Sequence, residues 1–252
     1  MERQGEMALI SAILKPALDF ALPPRCPICG ILVDNDNRFC LGCWQELRFL
    51  SEPWCDSCGV PFAFERTVGS VCLNCLEHRP AHDGVRAVVA YDDHSAQLVT
   101  RLKYGGRLGL ARLIAEHLVK FSLAVPRDSV IVPVPLHRWR LWSRGFNQSV
   151  LIGRTLAEFT GLSLELDAIC RKNATPPLYS KSAKQRQKIV KDAFTMPGSS
   201  RALIAGKTIV LVDDVYTTGS TSNACAKVLK QGGADKVLVF CWARVLAGED
   251  TI

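Results

Sequence analysis

An α/β fold, a parallel sheet flanked by helices with a small cysteine-rich module ahead of it, follows from three observations. After Val85, short unbroken aliphatic runs alternate with helical periodicities. One of those runs, Ile209 to Val212, leads into Asp213-Asp214 and a hydroxyl-rich turn. Eight of the 11 cysteines are confined to residues 26–75, in four Cys-x-x-Cys pairs. With 252 residues, 48% of them hydrophobic and 22% charged, the chain can bury one good core plus a small accessory module. A formal net charge of +7 suits polyanionic ligands and excludes a disordered acidic chain.

The elements are predicted in order. Leu9, Ile10, Ile13, Leu14, Ala17 and Leu18 give Met7 to Phe20 an amphipathic helix before Pro23-Pro24, within a leading segment 1–24. Lys15, Pro16 and Asp19 interrupt it, so it does not span a membrane. No small-residue cleavage site follows an apolar core here, which points to the cytoplasm. Residues 25–80 form the cysteine-rich module, with Phe39, Trp44, Phe49, Trp54 and Phe62 available to cover it. The sheet domain, 85–246, then reads as strand over 86–91, helices over 95–104 and 108–121, strand over 130–134 and helix over 151–159. Strands over 209–212 and 237–241 enclose a helix over 222–231. The runs without alternation suit strands buried on both faces.

Scattering 11 cysteines at random would give roughly 0.4 Cys-x-x-Cys pairs, so the pairs Cys26/Cys29, Cys40/Cys43, Cys55/Cys58 and Cys72/Cys75 need a physical reason. Two pairs supply four thiolates at tetrahedral geometry, soft enough to select zinc, and the intervening 10, 11 and 13 residues suit two structural Zn²⁺ sites. Gly30 and Gly59 follow two of the pairs and permit the tight turn that points backbone N–H groups at sulfur. A disulfide framework, an iron–sulfur cluster or a redox pair are the alternatives; disulfides need an oxidising compartment. Sequential pairing is the default, with nested or crossed pairing open. His78 and His82 find no vacancy at four-cysteine sites, and Cys170, Cys225 and Cys241 read as core thiols.

Asp213 and Asp214 precede Thr217, Thr218, Gly219, Ser220 and Thr221, and a helical pattern follows. Free N–H groups at a helix N-terminus, with four hydroxyls beside them, favour a phosphate. Carboxylates repel one, so the acidic pair suits sugar hydroxyls or a metal-bound sugar. No Gly-x-x-x-x-Gly-Lys-Ser/Thr is present, which excludes a P-loop nucleotide hydrolase. The stretch resembles the phosphoribosyl-pyrophosphate (PRPP) signature of type I phosphoribosyltransferases. The resemblance implies that Asp213 and Asp214 contact the ribose and support catalysis, while Thr217 to Thr221 bind the 5′-phosphate.

Arg138, Arg140 and Arg144 interleave with Trp139 and Trp142, a pattern that suits pyrophosphate or single-stranded nucleic acid. Together with Leu102-Lys103-Tyr104, Val132-Pro133-Val134-Pro135 and Arg144-Gly145-Phe146-Asn147-Gln148, the chain resembles the ComF family, which includes GntX-like proteins: a double zinc ribbon joined to a type I phosphoribosyltransferase-like domain. The resemblance implies Mg²⁺ bound with PRPP, pyrophosphate held by Val134, Pro135, Leu136, Arg138 and Arg144, and transfer of phosphoribosyl to an acceptor. The alternative is a non-enzymatic factor in natural transformation that binds PRPP or single-stranded DNA, with the zinc module docking protein partners. Over 175–194 the family pattern holds at Thr175, Ser182, Arg186, Ala193 and Phe194, while Leu178, Lys181 and Ile189 depart from it.

Metal analysis of protein expressed in a reducing cytosol should find about two zinc atoms per chain. Each four-cysteine site contributes on the order of 10–16 kcal/mol in small domains without their own core, so chelation should unfold the cysteine-rich segment. One zinc or none, or iron with visible charge-transfer absorption, would overturn the assignment.

Overall fold

The computed structural model describes residues 23–104, 108–172 and 193–246. The expected leading helix and the departures Leu178, Lys181 and Ile189 lie outside the described residues. Two compact units, Met1–Leu47 and Arg48–Ile252, part between the two cysteine clusters, so the second cluster belongs to the unit that holds the sheet.

In the first unit, Cys40 opens helix α1 (Leu41–Glu46) and its sulfur accepts from the Cys43 N–H. Phe39 and Trp44 pack together, with centroids 6.2 Å apart. In the second unit, Cys72 opens α2 (Leu73–Glu77), and Cys55, Cys58 and Cys75 are buried with Val60, Phe62 and Val71 packed against them. Both knuckle glycines, Gly30 and Gly59, adopt positive φ.

The sheet follows. Strand β1 (Gly84–Ala90) leads through helices α3 (Asp93–Tyr104) and α4 (Leu110–Ser122) to β2 (Val130–Pro133). Helices α5 (Arg138–Arg144) and α6 (Gln148–Thr160) precede the short β3 (Ser163–Leu164). A two-stranded antiparallel sheet, β4 (Cys170–Arg171) with β5 (Phe194–Thr195), flanks residues 173–192. After α7 (Arg201–Ile204), β6 (Thr208–Tyr216), α8 (Ser220–Gln231) and β7 (Lys236–Arg244) complete the domain. The five strands are parallel in the order β1-β7-β6-β2-β3, and the expected helices flank them.

Two aromatic columns fasten the segment entering the second cluster to the sheet. Phe49 packs on His117, which packs on Trp242; Trp54 packs edge-on to Phe121, which packs on Phe240. Phe49 and Trp54, expected to cover metal, turn instead onto α4, because an amphipathic helix that buries Leu113, Ile114, Leu118 and Phe121 offers a larger apolar surface than a zinc knuckle. Trp242 is fully buried, and its indole N–H donates to the Ser95 carbonyl at 3.4 Å.

Strand β6 runs longer than the four aliphatic residues predict. Its β7 side stays paired to Tyr216↔Arg244, but pairing with β2 stops at Pro133↔Val212. The two carboxylates therefore lie within the strand, with one edge open.

Candidate functional site

Chain connections leave β2 and β6 in opposite directions, toward β3 and toward β7, so the topological switch point falls between these two neighbours. Open α/β sheets bind ligands at that crevice, beyond the strand carboxyl ends. The ends of β2, just before Val134, and of the aliphatic run, just before Asp213, meet here. Val134, just past β2, donates its N–H to the Val212 carbonyl at 2.9 Å, the last tie before the strands separate.

With no β2 partner left, the Asp214 N–H turns to the Asp213 carboxylate at 2.9 Å. Ser149, in the first turn of α6, donates to the same Oδ1 at 3.2 Å. Asn147 sets that helix start: its Oδ1 caps the Ser149 N–H at 3.0 Å, and its Nδ2 donates to the Val134 carbonyl at 3.0 Å. The Arg-Gly-Phe-Asn-Gln stretch thus ties both strand ends to one helix N-terminus. Lys103, from the last turn of α3, places Nζ 2.7 Å from Asp214 Oδ2. Burial alone would pull its ammonium down, but Asp214 and then Asp213 outweigh it and hold the lysine above its ordinary value. Burial, then repulsion from Asp214, pushes the Asp213 carboxyl up to about 7.

Beyond the acids, residues 217–221 turn into α8 and with Asp213 and Val215 line a recess. Helix α8 has no side-chain cap and no acidic residue in its first turn, which leaves its N–H groups and positive dipole end to a ligand. Thr218 and Ser220 hydroxyls meet at 2.9 Å across the turn. Gly219 has φ +72°, and a Cβ there would run into the Tyr216 hydroxyl, so no other residue fits.

Arginines lie beyond Lys103. Arg144 donates to the Tyr104 hydroxyl at 2.8 Å and stacks over its ring at 4.9 Å, which draws it toward Lys103. Burial, then the charge of Arg144, lowers the Arg140 guanidinium, and burial, then Arg140, lowers that of Arg171. Arg138 is exposed at the start of α5. Val134 engages both of its backbone groups internally and Pro135 has no N–H, so within 134–136 the Leu136 N–H is the donor left for an anion. Sequence reasoning quoted Lys103 within Leu102-Lys103-Tyr104 without assigning it a role, and missed Ser149 and Arg171 altogether. A lysine four residues after Val99, on the stripe that α3 buries at Val99 and Leu102, is a signal that could have found the first. The other two depend on which segments the fold brings to β6.

The cysteines pair sequentially. In each of Cys26, Cys29, Cys40, Cys43 and Cys55, Cys58, Cys72, Cys75 the ligand atoms lie within 4.8 Å of one another. Cys29–Cys40 at 3.5 Å and Cys58–Cys72 at 3.7 Å approach the roughly 3.8 Å edge of a tetrahedron with 2.3 Å zinc–sulfur bonds. Both sites fit Zn²⁺. Among the described residues no helix is long and apolar enough to cross a membrane.

The raised Asp213 carboxyl sets a stability slope. Its folded value near 7 lies above its unfolded value of 3.8, so the folded state holds the proton more tightly. That contribution is complete below the unfolded value and is lost as pH rises through about 7. The melting temperature of the ligand-free protein should therefore drop between pH 5 and 8 by more than that of Asp213→Asn; equal slopes by scanning calorimetry would contradict the burial of this group.

Comparisons with known proteins agree with this layout. The double zinc ribbon domain family matches residues 17–76, and the phosphoribosyl transferase domain family matches residues 154–251. Competence protein F of Haemophilus influenzae is 30% identical over 227 residues, spanning 87% of this chain and 96% of its own. DNA utilization protein YhgH of Salmonella typhi is 34% identical over 232 residues, 89% of this chain and 99% of its own. Among solved structures, glutamine PRPP amidotransferase from B. subtilis is 22% identical over 56% of this chain and 30% of that chain, with a TM-score of 0.37, too distant to carry an argument by itself. With nearly whole-length relatives at 30% identity or above, and a switch point built on the acidic pair, the chain belongs to the ComF-like family, which joins a double zinc ribbon to a phosphoribosyltransferase domain.

Proposed function

We propose that this chain binds PRPP at the β2–β6 switch point and transfers its phosphoribosyl group to an acceptor with release of pyrophosphate. The observation that carries the reading is the uncapped, acid-free N-terminus of α8, directly beyond two carboxylates, one of them paired with Lys103. Thr217, Thr218, Gly219, Ser220 and Thr221 would hold the 5′-phosphate, and Asp213 and Asp214 the ribose hydroxyls. The acidic pair already holds a cation, Lys103, so its donor set fits Mg²⁺. Mg²⁺, held by Asp213 and Asp214 with the substrate's own oxygens, would neutralise charge on the leaving pyrophosphate. The bond from C1 to the pyrophosphate oxygen breaks as one from C1 to the acceptor forms. Lys103, Arg140, Arg144 and the Leu136 N–H would stabilise the charge that grows on the departing group.

Calorimetric titration with PRPP and Mg²⁺ tests the site. Thr218→Val deletes a donor to a charged group, which typically costs about 1.5–3 kcal/mol, or roughly 10- to 150-fold in affinity. Gly219→Val should abolish binding, and Asp213→Asn and Asp214→Asn should weaken it without unfolding the sheet. If all four variants stay folded and bind as the parent does, the reading fails; where they weaken binding, a pyrophosphate-release screen across acceptors separates a transferase from a PRPP-binding factor.

A second reading rests on a separate observation. Trp139 and Trp142 are 68% and 79% exposed on α5, edge to face at 6.1 Å, and α5 buries none of its residues. We propose that they stack on the bases of single-stranded DNA while Arg138, Arg140 and Arg144 meet phosphates. Replacing the three arginines with Ala should flatten the slope of log affinity against log salt by about 2. An unchanged slope would move any DNA contact off this helix.

A further inference from the structure

Three consecutive residues just ahead of β1 hold the unit formed by the hydroxyl-rich loop and α8, and neither zinc binding nor the proposed transfer employs them. The Ala81 N–H donates to Asn223 Oδ1, in the first turn of α8, at 2.7 Å. His82 Nε2 lies 3.0 Å from the hydroxyl of Tyr216, the residue immediately before the loop. Asp83 pairs with Lys230, in the last turn of α8, at 2.7 Å. It also accepts the Val237 N–H at 2.7 Å and gives its own N–H to the Val237 carbonyl at 2.8 Å, which fixes the segment to β7. Residues 81–83 thus grip loop and helix at three points: before the loop, at the first turn of α8 and at its last.

The central contact is buried. His82 is 3% and Tyr216 6% exposed, and their rings meet edge to face with centroids 5.6 Å apart. His82 Nδ1 has no hydrogen-bond partner among the described residues. A buried imidazole with one nitrogen unsatisfied is costlier than an apolar ring, so what the histidine adds at this position is a partner for the Tyr216 hydroxyl. Burial, against the opposing charge of Asp83, pulls its imidazole down to about 4, so the contact joins two uncharged groups at neutral pH. The hydroxyl lies directly against the loop: Gly219 has φ +72°, and a Cβ there would run into the Tyr216 hydroxyl and ring. Arg244, opposite Tyr216 in the β6–β7 ladder, covers the same ring at 5.4 Å. The recess is lined by Asp213, Val215 and residues 217–221, so Tyr216 and His82 act on it only through the loop.

We infer that His82 and Tyr216 are positioning residues for this recess: their hydrogen bond fixes where the Tyr216 hydroxyl stands, and with it the path of the backbone at Gly219 that an anion would meet. The consequence for PRPP affinity rests on the function proposed above, whereas the effect on the loop does not.

The test uses the full-length, zinc-loaded protein and two measurements: amide hydrogen exchange over residues 217–223, compared with β2 over 130–133, and titration with PRPP and Mg²⁺. Tyr216→Phe removes the hydroxyl and His82→Phe removes its partner. Losing one hydrogen bond between uncharged groups shifts an equilibrium roughly 2- to 10-fold, so each variant should speed exchange over the loop by about that factor, and by more than over β2. PRPP affinity should fall in step, since it scales with the share of loops in the competent conformation. The double variant should be no worse than either single one, because both remove the same bond. His82→Gln, whose amide can stand in for Nε2, should restore most of the loss, which a residue that merely fills space would not allow. A parent that binds no PRPP sinks the proposed function but leaves the exchange result to judge the inference. Should His82→Phe fail to fold, exchange in Tyr216→Phe decides. Loop exchange in Tyr216→Phe that rises no more than that of β2, additive losses in the double variant, or His82→Gln as impaired as His82→Phe would each overturn the inference.

Discussion

The site depends on the point at which β6 loses its partner. Up to Val212 this strand is hydrogen-bonded on both edges; beyond it, only β7 remains. A backbone edge left open inside a parallel sheet has to be satisfied locally, and the Asp213 carboxylate does so by accepting the Asp214 N–H. That single substitution of side chain for strand turns a ladder into an open crevice. It aims two acids at the gap, brings Ser149 and Lys103 to them, and leaves the α8 N-terminus facing the same space.

Electrostatics then explain why the crevice tolerates so many charges. Burial disfavours a charged Asp213, and repulsion from Asp214 adds to the penalty, which is why its carboxyl is pushed up to about 7. Lys103 offsets this by standing directly on Asp214. Burial and then Arg144 lower the Arg140 guanidinium, and burial and then Arg140 lower that of Arg171, an arrangement useful to a site that takes an anion. An ammonium on a flexible stem is a suitable occupant for the cation position that the proposed substrate and Mg²⁺ would claim.

The zinc ribbons divide between two roles. The first cluster lies in a unit of its own, while the second is continuous with the core of the sheet through Val60, through the aromatic pairs on Phe121 and His117, and through the Asp56–Arg86 ion pair at 3.1 Å. A four-cysteine knuckle has little apolar surface of its own, and its second copy gains stability by sharing that of α4 and β7.

Much was legible in the sequence because the signals were local. Cys-x-x-Cys spacing declares tetrahedral thiolate sites, unbroken aliphatic runs declare buried parallel strands, and Asp-Asp followed by hydroxyls and a glycine declares a turn into a helix that can take a phosphate. Each of these depends on residues within a few positions of one another, so the chain alone determined the fold class, the metal ligands and the residues lining the recess. Tertiary structure decided the rest: that cysteine pairs join sequentially, that the Phe49 and Trp54 rings pack toward α4, that β6 runs on through its acids, and that Lys103 and Ser149 meet at them. These outcomes depend on which strand edges pair and where pairing stops. Contacts between residues 64 and 111 positions apart leave no periodicity in the chain to read.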